Sequence, residues 1–314
     1  MLYPFALLVL ISAGCKADPS QDVNASMEAD RISVKVNGED FTSYLFSQEH
    51  KYPFYYPVNG PLSGRSVTTW DQEPYPHHSS LYVSLDWVIS ENVARGNYWQ
   101  PRHELETGQV FSRNPQILSN DGKSVVFTDH LEWIVPATGN HHFNETRTVK
   151  IWAPSSTVRV MDFNLEFDVL KDLSVRPTGH SFFSARMRPE IAVGCMNHGP
   201  ELAPLGTGTI VDSDGNRDEA GIREKAGDWA AFYGDNDGVT KGLAIIQHPE
   251  NSYYPGLWVT RDYGFFSPSS FCFNEEPVEM SAGQKLSFRY RVVVFSGNHK
   301  EADIDGWCRD FTGS

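Results

Sequence analysis

Two adjacent histidines, His77 and His78, are the first residues in this chain suited to moving protons. An imidazole changes charge near neutral pH, and its neutral nitrogen can also ligate a metal. The pair lies in Lys51–Trp87, a proline-rich stretch that also carries Tyr52, Phe54, Tyr55, Tyr56, Trp70, Tyr75, Tyr82 and Trp87. Proline fixes φ and removes a backbone donor, so such a stretch is held in defined turns rather than a long ladder. Aromatic faces and imidazoles in a rigid loop can form a ligand wall, although aromatic core packing beside a loop has the same composition. Neighbouring side chains on a strand face opposite ways, so both imidazoles share a pocket only if they sit in a turn.

A second stretch, Gly242 to Phe271, repeats this chemistry. A buried strand delivers His248 into a turn made by Pro249 and Asn251, and Tyr253, Tyr254, Trp258, Arg261 and Tyr263 follow. Aromatic platforms with a few polar groups suit sugar rings, which offer apolar C–H faces and hydroxyl edges. Between the two stretches, Glu145 and Arg147 fall on one face of an expected strand, as a structural ion pair or a sugar clamp. Arg186 and Arg188 have the spacing to cradle a carboxylate or sulfate. A nucleophile elbow, a phosphate loop, a dinucleotide fingerprint and a zinc-protease helix are all missing from the sequence. Asp212-Ser213-Asp214-Gly215-Asn216 imitates the start of a calcium loop, but lacks the right closing glutamate and reads as a solvated turn.

The elements that must position these residues are strands. Ile32, Val34 and Val36 alternate with polar residues, Asn37-Gly38 supplies a hairpin turn, and Phe41–Phe46 returns. Strand patterns recur at Ser124–Phe127, Leu131–Val135, Thr146–Trp152, Val158–Val169, Trp229–Tyr233, Leu243–Gln247 and Leu286–Val294. Gly199 to Gly221 reads as a long loop, and only the tail, with Ile304, Trp307 and Phe311 at helical spacing, reads as a helix. The fold class expected is all-β: a single β-sandwich with a short C-terminal helix, over residues 30–314.

Composition narrows the partners. The 314 residues carry a formal net charge of −14, which argues against nucleic acid, whose binding needs a basic surface. Met1–Gly14 is apolar, too short for a mature membrane span, and reads as a signal peptide. Small residues before Cys15 give that cysteine the character of a lipoprotein processing site, with residues 16–29 as a flexible tether. The expected location is the periplasm or cell envelope, and the only membrane contact expected is through a lipid anchor. Cys195, Cys272 and Cys308 allow one disulfide without fixing the pair, and show no zinc spacing.

Several segments together resemble a bacterial family known as PmoA-like, or "methane oxygenase PmoA": YYPVNGP with PYPHHSSLYVS, NETRTVKIW, FFSARMRPEI, DWAAFYG, GLAIIQHPENSYYPGLWVTRDYGFF and AGQKLSFRYRVVVFSG. The resemblance covers the chain from about Lys51 onward. It implies a single exported β-sandwich associated with carbohydrate degradation, and a pocket built from His77, His78, Glu145, Arg186, Trp229, His248, Asn251, Trp258 and Arg261. Methane oxidation itself is not implied, since it uses membrane-embedded metal subunits. Family members more usually carry Arg where Ser79 stands, and an acidic residue and a histidine where Pro74 and Tyr75 stand. By analogy, the His-plus-Glu set is also similar to that of sugar mutarotases.

The leading expectation is an exported enzyme acting on oligosaccharides or uronate-containing sugars. His248 and one of His77 or His78 would serve as acid and base, with Glu145 orienting an imidazole or taking a proton. Arg186 and Arg261 would hold an acidic group, and Trp229, Asn251, Trp258 and Tyr263 would contact the sugar. Elimination or dehydration, epimerisation and hydrolysis stay open. A glycan-binding lipoprotein without catalysis is the alternative. A metal held by His77, His78 and His248 ranks last, and no cofactor is expected.

Overall fold

The computed structural model describes residues 19–90, 96–99, 104–194, 206 and 208–313. It is an antiparallel β-sandwich. In spatial order, the first sheet contains Val23–Met27, Arg31–Val36, Glu39–Leu45, Phe54–Val58, Leu81–Leu85, Ser181–Arg186, Phe265–Ser269 and Leu257–Arg261. The second contains Thr209–Asp212, Trp229–Asp235, Thr240–Gln247, Lys285–Ser296, Val158–Val169, Asn140–Trp152, Ser124–Val135 and Gln109–Ser112, with Gln116–Asn120 also paired to Ser124–Val135. A small third sheet joins Val278–Met280, Leu173–Val175 and Val88–Ser90. The expected all-β class with a short C-terminal helix therefore holds.

Period-2 alternation explains the layers. In Val158–Val169, the buried Met161, Phe163, Leu165 and Phe167 face the core between the sheets, while Asn164, Glu166 and Asp168 lie on the wetter face. Lys285–Ser296 is central; its C-terminal half is covered on both sides, while Lys285 and Ser287 stay exposed. Phe288, Tyr290, Val292 and Val294 enter the inter-sheet core, while Val293 and Phe295 join a second cluster under the helix Ile304–Thr312. Asp303 caps that helix by accepting from the Gly306 N–H at 3.1 Å. Arg291 ties it down, pairing with Asp162 at 2.7 Å and donating to the Trp307 carbonyl at 3.2 Å.

Three expectations about elements need correction. Residues 16–29 are not all tether: Val23–Met27 is an edge strand whose Val23 is buried and sits opposite Val36. Its polar sequence suits a strand with one wet face. Ser124–Phe127 and Leu131–Val135 are one strand, Ser124–Val135, because the polar break at Asp129 is satisfied internally: Asp129 accepts from the Tyr44 hydroxyl at 2.9 Å. The Gly199–Gly221 stretch contains the strand Thr209–Asp212 and the helical turn Asp218–Ile222. The acidic run within it is the turn expected, since Asp212 accepts from the Asp214 and Asn216 backbone N–H groups at 3.0 and 2.8 Å.

Candidate functional site

The candidate site lies on the outer face of the first sheet. Register puts it there. Arg186 and Arg261 both stand opposite Phe265, and Ser184 stands opposite Tyr82. The intervening residues face the other way: Phe266 meets Phe232 of the second sheet with ring centres 5.1 Å apart, and Trp258 lies at 6.2 Å on the same side. Over the outer face closes the segment running from Trp70 to Ser80. A cavity of about 220 Å³ between them is lined by Tyr75, His77, His78, Trp99, Gly179, His180, Arg261, Tyr263 and Phe265.

The covering segment is stitched to the sheet at both ends. Thr69 N–H donates to the Arg186 carbonyl at 2.9 Å, and Arg186 N–H donates to the Ser80 carbonyl at 2.7 Å. The buried Thr68 and Ser80 hydroxyls are 2.7 Å apart. Between these anchors the chain turns, with Tyr75 N–H bonded to the Gln72 carbonyl and His78 N–H to the Tyr75 carbonyl. The turn lets both imidazoles reach one cavity, with ring centres 4.5 Å apart. Tyr75 stacks on Tyr263 at 5.1 Å and on His78 at 5.2 Å, and His78 packs on Phe265 at 4.7 Å.

Burial sets the protonation of this wall. Desolvation pushes His78 well below the usual imidazole range, and His77, Arg186 and His180 add to the effect, so His78 is neutral at pH 7. Its Nδ1 is buried and has no hydrogen-bond partner among the described residues. Arg186 is buried too, and desolvation lowers it to about 10, so it keeps its charge. Its Nη1 donates to the Tyr263 carbonyl, and its guanidinium carbon lies 4.6 Å from the Tyr263 ring centre. Desolvation raises the Tyr263 phenol to about 12. Arg261 pairs with Glu219 at 2.8 Å while still lining the cavity.

A third imidazole, His180, completes the wall and was not singled out from sequence. Its Nδ1 lies 3.2 Å from Oδ2 of the buried Asp86, and its ring stacks on Trp99 at 5.5 Å. A carboxylate at that distance holds the proton on Nδ1 and leaves Nε2 as the basic nitrogen. Antiparallel pairing of Leu81–Leu85 with Ser181–Arg186 sets Leu85 opposite Ser181, so Asp86 and His180 occupy the next rung. No local motif marks two residues so far apart; only that strand pairing would have found them.

Of the expected site residues, His77, His78, Arg186, Arg261 and Tyr263 come together. The others do not. His248 follows Ala244 and Ile246 on the face of the second sheet covered by the helix, and its ring packs 5.1 Å from Phe311. Its Nδ1 accepts from the Glu250 N–H at 3.1 Å. Asn251 clamps the backbone of Arg289, accepting from its N–H at 2.6 Å and donating to its carbonyl at 3.0 Å. Trp229 donates to Asp305 at 3.0 Å beside the same helix. Trp258 is buried on the core side of the first sheet and donates to the Gly227 carbonyl at 3.1 Å. Glu145 stands opposite Leu131 and Phe167 in the inter-sheet core, bonded to Arg147 Nε at 2.7 Å and Trp133 Nε1 at 2.9 Å. It is a structural ion pair. The metal set drawn from His77, His78 and His248 is likewise not assembled.

Cys15 lies outside the described residues, as does Cys195; Cys272 and Cys308 are buried free thiols. Among the described residues no helix is long and apolar enough to cross a membrane.

By fold and site this is a β-sandwich protein with a histidine- and arginine-lined cavity on one outer face. Residues 31–308 match the model of a family of unknown function, DUF6807, and the chain belongs to that family. This corrects the PmoA-like resemblance: the family model matched is DUF6807. No curated protein matches the chain. Among solved structures, a polysaccharide lyase is 11% identical with a TM-score of 0.33, covering 88% of this chain and 33% of its own. The chain thus spans about a third of that lyase's length. A GalM/aldose epimerase homologue from C. elegans is 8% identical with a TM-score of 0.34, over 89% of this chain and 99% of that one. A galactose mutarotase related enzyme from Lactobacillus acidophilus is 9% identical with a TM-score of 0.30, over 88% and 97%. Likenesses this weak carry no argument about function.

Proposed function

We propose that the protein is a carbohydrate-active enzyme that moves a proton on an acidic sugar by imidazole chemistry. One observation carries the reading: His77, His78 and His180 meet around a single cavity beside two arginines and the rings of Tyr75, Trp99 and Tyr263. At about 220 Å³ the cavity is below the usual range for drug-sized ligands, and suits one sugar ring. Aromatic faces meet the C–H side of such a ring. Arg261 and the positive charge of Arg186 favour a carboxylate on it. His78 adds an imidazole to the wall against which the ring would rest.

His180 is the candidate base. Asp86 fixes its proton on Nδ1, so Nε2 takes the proton from the carbon beside the carboxylate. The charge that develops on the carboxylate faces the arginines. His77 then supplies a proton. Given to a departing glycosidic oxygen, it completes an elimination with a new carbon–carbon double bond; returned to carbon from the other face, it gives an epimer. The test is incubation with uronates and uronate-ended oligosaccharides, reading absorbance of the new double bond and epimer formation by NMR. Turnover lost in His180→Ala and His77→Ala, with folding intact, supports the reading. Binding without turnover in the wild type would transfer it to the glycan-binding alternative.

From the apolar Met1–Gly14 and the small residues before Cys15 we also propose export to the cell envelope with Cys15 lipidated. Cys15→Ser is then expected to move the mature protein from the detergent phase to the aqueous phase in a partition assay. Equal partition of both forms would remove the anchor.

A further inference from the structure

A second cavity, of about 630 Å³, shares His180 with the first. It is lined by Asp86, Trp87, Arg176, Pro177, Thr178, His180 and Pro277. The small third sheet builds it. Val88, Val175 and Val278 stand in register across that sheet. Trp87, Arg176 and Pro277 are each the next residue at the same end, so they line up as one row. The Arg176 N–H donates to the Trp87 carbonyl at 3.1 Å, and its guanidinium lies over the indole, 5.5 Å from the ring centre.

Trp87 is held in an unusual way. Its φ is +52°, a left-handed conformation that a large aromatic rarely adopts. Asp86 stabilises the bend, because its Oδ1 accepts from the Trp87 N–H at 2.8 Å while its Oδ2 meets His180 at 3.2 Å. One buried carboxylate therefore sets both the imidazole between the cavities and the indole of the second one.

We propose that the two cavities are consecutive subsites for a saccharide of at least two rings, with His180 at the junction. The acidic ring occupies the smaller cavity, and its neighbour lies against Trp87 and Arg176. An indole offers a face to a ring's C–H side, and a guanidinium above it offers hydrogen bonds to hydroxyls. The junction sits where a bond between the rings would pass His180. This inference rests on the acidic-sugar reading above.

Calorimetric titration of the full chain with methyl glucuronide and methyl galacturonide, then with the corresponding uronate-ended disaccharides, tests it. The wild type is expected to bind a disaccharide at least about tenfold more tightly than its methyl uronide. Arg176→Ala, an exposed position, and Trp87→Ala are each expected to bring that ratio to within about twofold. Arg176→Ala keeps the test open if Trp87→Ala does not fold. A wild-type ratio near one, or a ratio unchanged in Arg176→Ala, overturns the second subsite. If the ratio behaves as expected but no product forms, the catalytic reading falls alone.

Discussion

At the residue scale, two carboxylates separate site from scaffold. Asp86 holds His180, whereas Glu145 holds Arg147 inside the core. Asp86→Asn should lower kcat by about a hundredfold, within the range that general acid–base groups supply, with KM little changed. An unchanged kcat would make Asp86 a structural residue only. Glu145→Gln breaks a buried pair and should cost about 3–5 kcal/mol in chemical denaturation. The fraction that remains folded should turn over substrate at the wild-type rate. Loss of turnover in a folded Glu145→Gln variant would return that carboxylate to the site.

At the scale of elements, what matters is how the covering segment is fixed to the first sheet. The buried Thr68–Ser80 hydroxyl pair is one stitch, at 2.7 Å. Thr68→Val leaves the Ser80 hydroxyl unpaired and should destabilise by about 1–3 kcal/mol. It should also weaken sugar binding, because Tyr75, His77 and His78 hang from that segment. A destabilised variant with wild-type affinity would show that the segment is held by other contacts. The elements also show what was legible in the sequence. Alternating runs such as Val158–Val169 gave strand class and face directly. The prolines made turns legible in the stretch as a whole, but left open whether His77 and His78 share one. The facing of His248 was not legible: its stretch has the same chemistry as the first, but parity with Ala244 and Ile246 turns it toward the helix. Pairing between Leu81–Leu85 and Ser181–Arg186 was not legible either, and with it went His180 and Asp86. The Glu145–Arg147 pair was legible from their spacing on one strand, but its burial in the core was not, because that depends on which sheet covers it.

At the scale of the whole molecule, the sandwich uses its outer faces differently. The C-terminal helix covers part of one, over Val160, Val293 and Phe295, and the other carries the histidine-lined cavity. The formal charge is −14, yet Arg261 and Arg176 line the two cavities and Arg186 lies against Tyr263 beside them. Acid stability is a property of the assembly too. His142 is buried between the Ser90 and Tyr98 hydroxyls, at 3.0 and 2.8 Å. Desolvation first, then Lys171 and His141, lower it to about 4. Its folded value lies below its unfolded one, so at pH 7 both states leave it neutral. As pH falls through 6.5, only the unfolded chain takes the proton, and stability drops until about pH 4. The loss from this residue is on the order of 3 kcal/mol. Denaturation midpoints between pH 7 and 4.5 should show a shallower slope in His142→Gln than in the wild type; equal slopes would contradict the assignment.

The most direct measurement compares kcat/KM on a uronate-ended disaccharide for His77→Ala, His180→Ala and His248→Ala, with folding checked by circular dichroism. The expected result is a loss of about a hundredfold or more in the first two and less than about threefold in the third. Full activity in His77→Ala and His180→Ala, or its loss in a folded His248→Ala, would contradict the placement of the site on the first sheet.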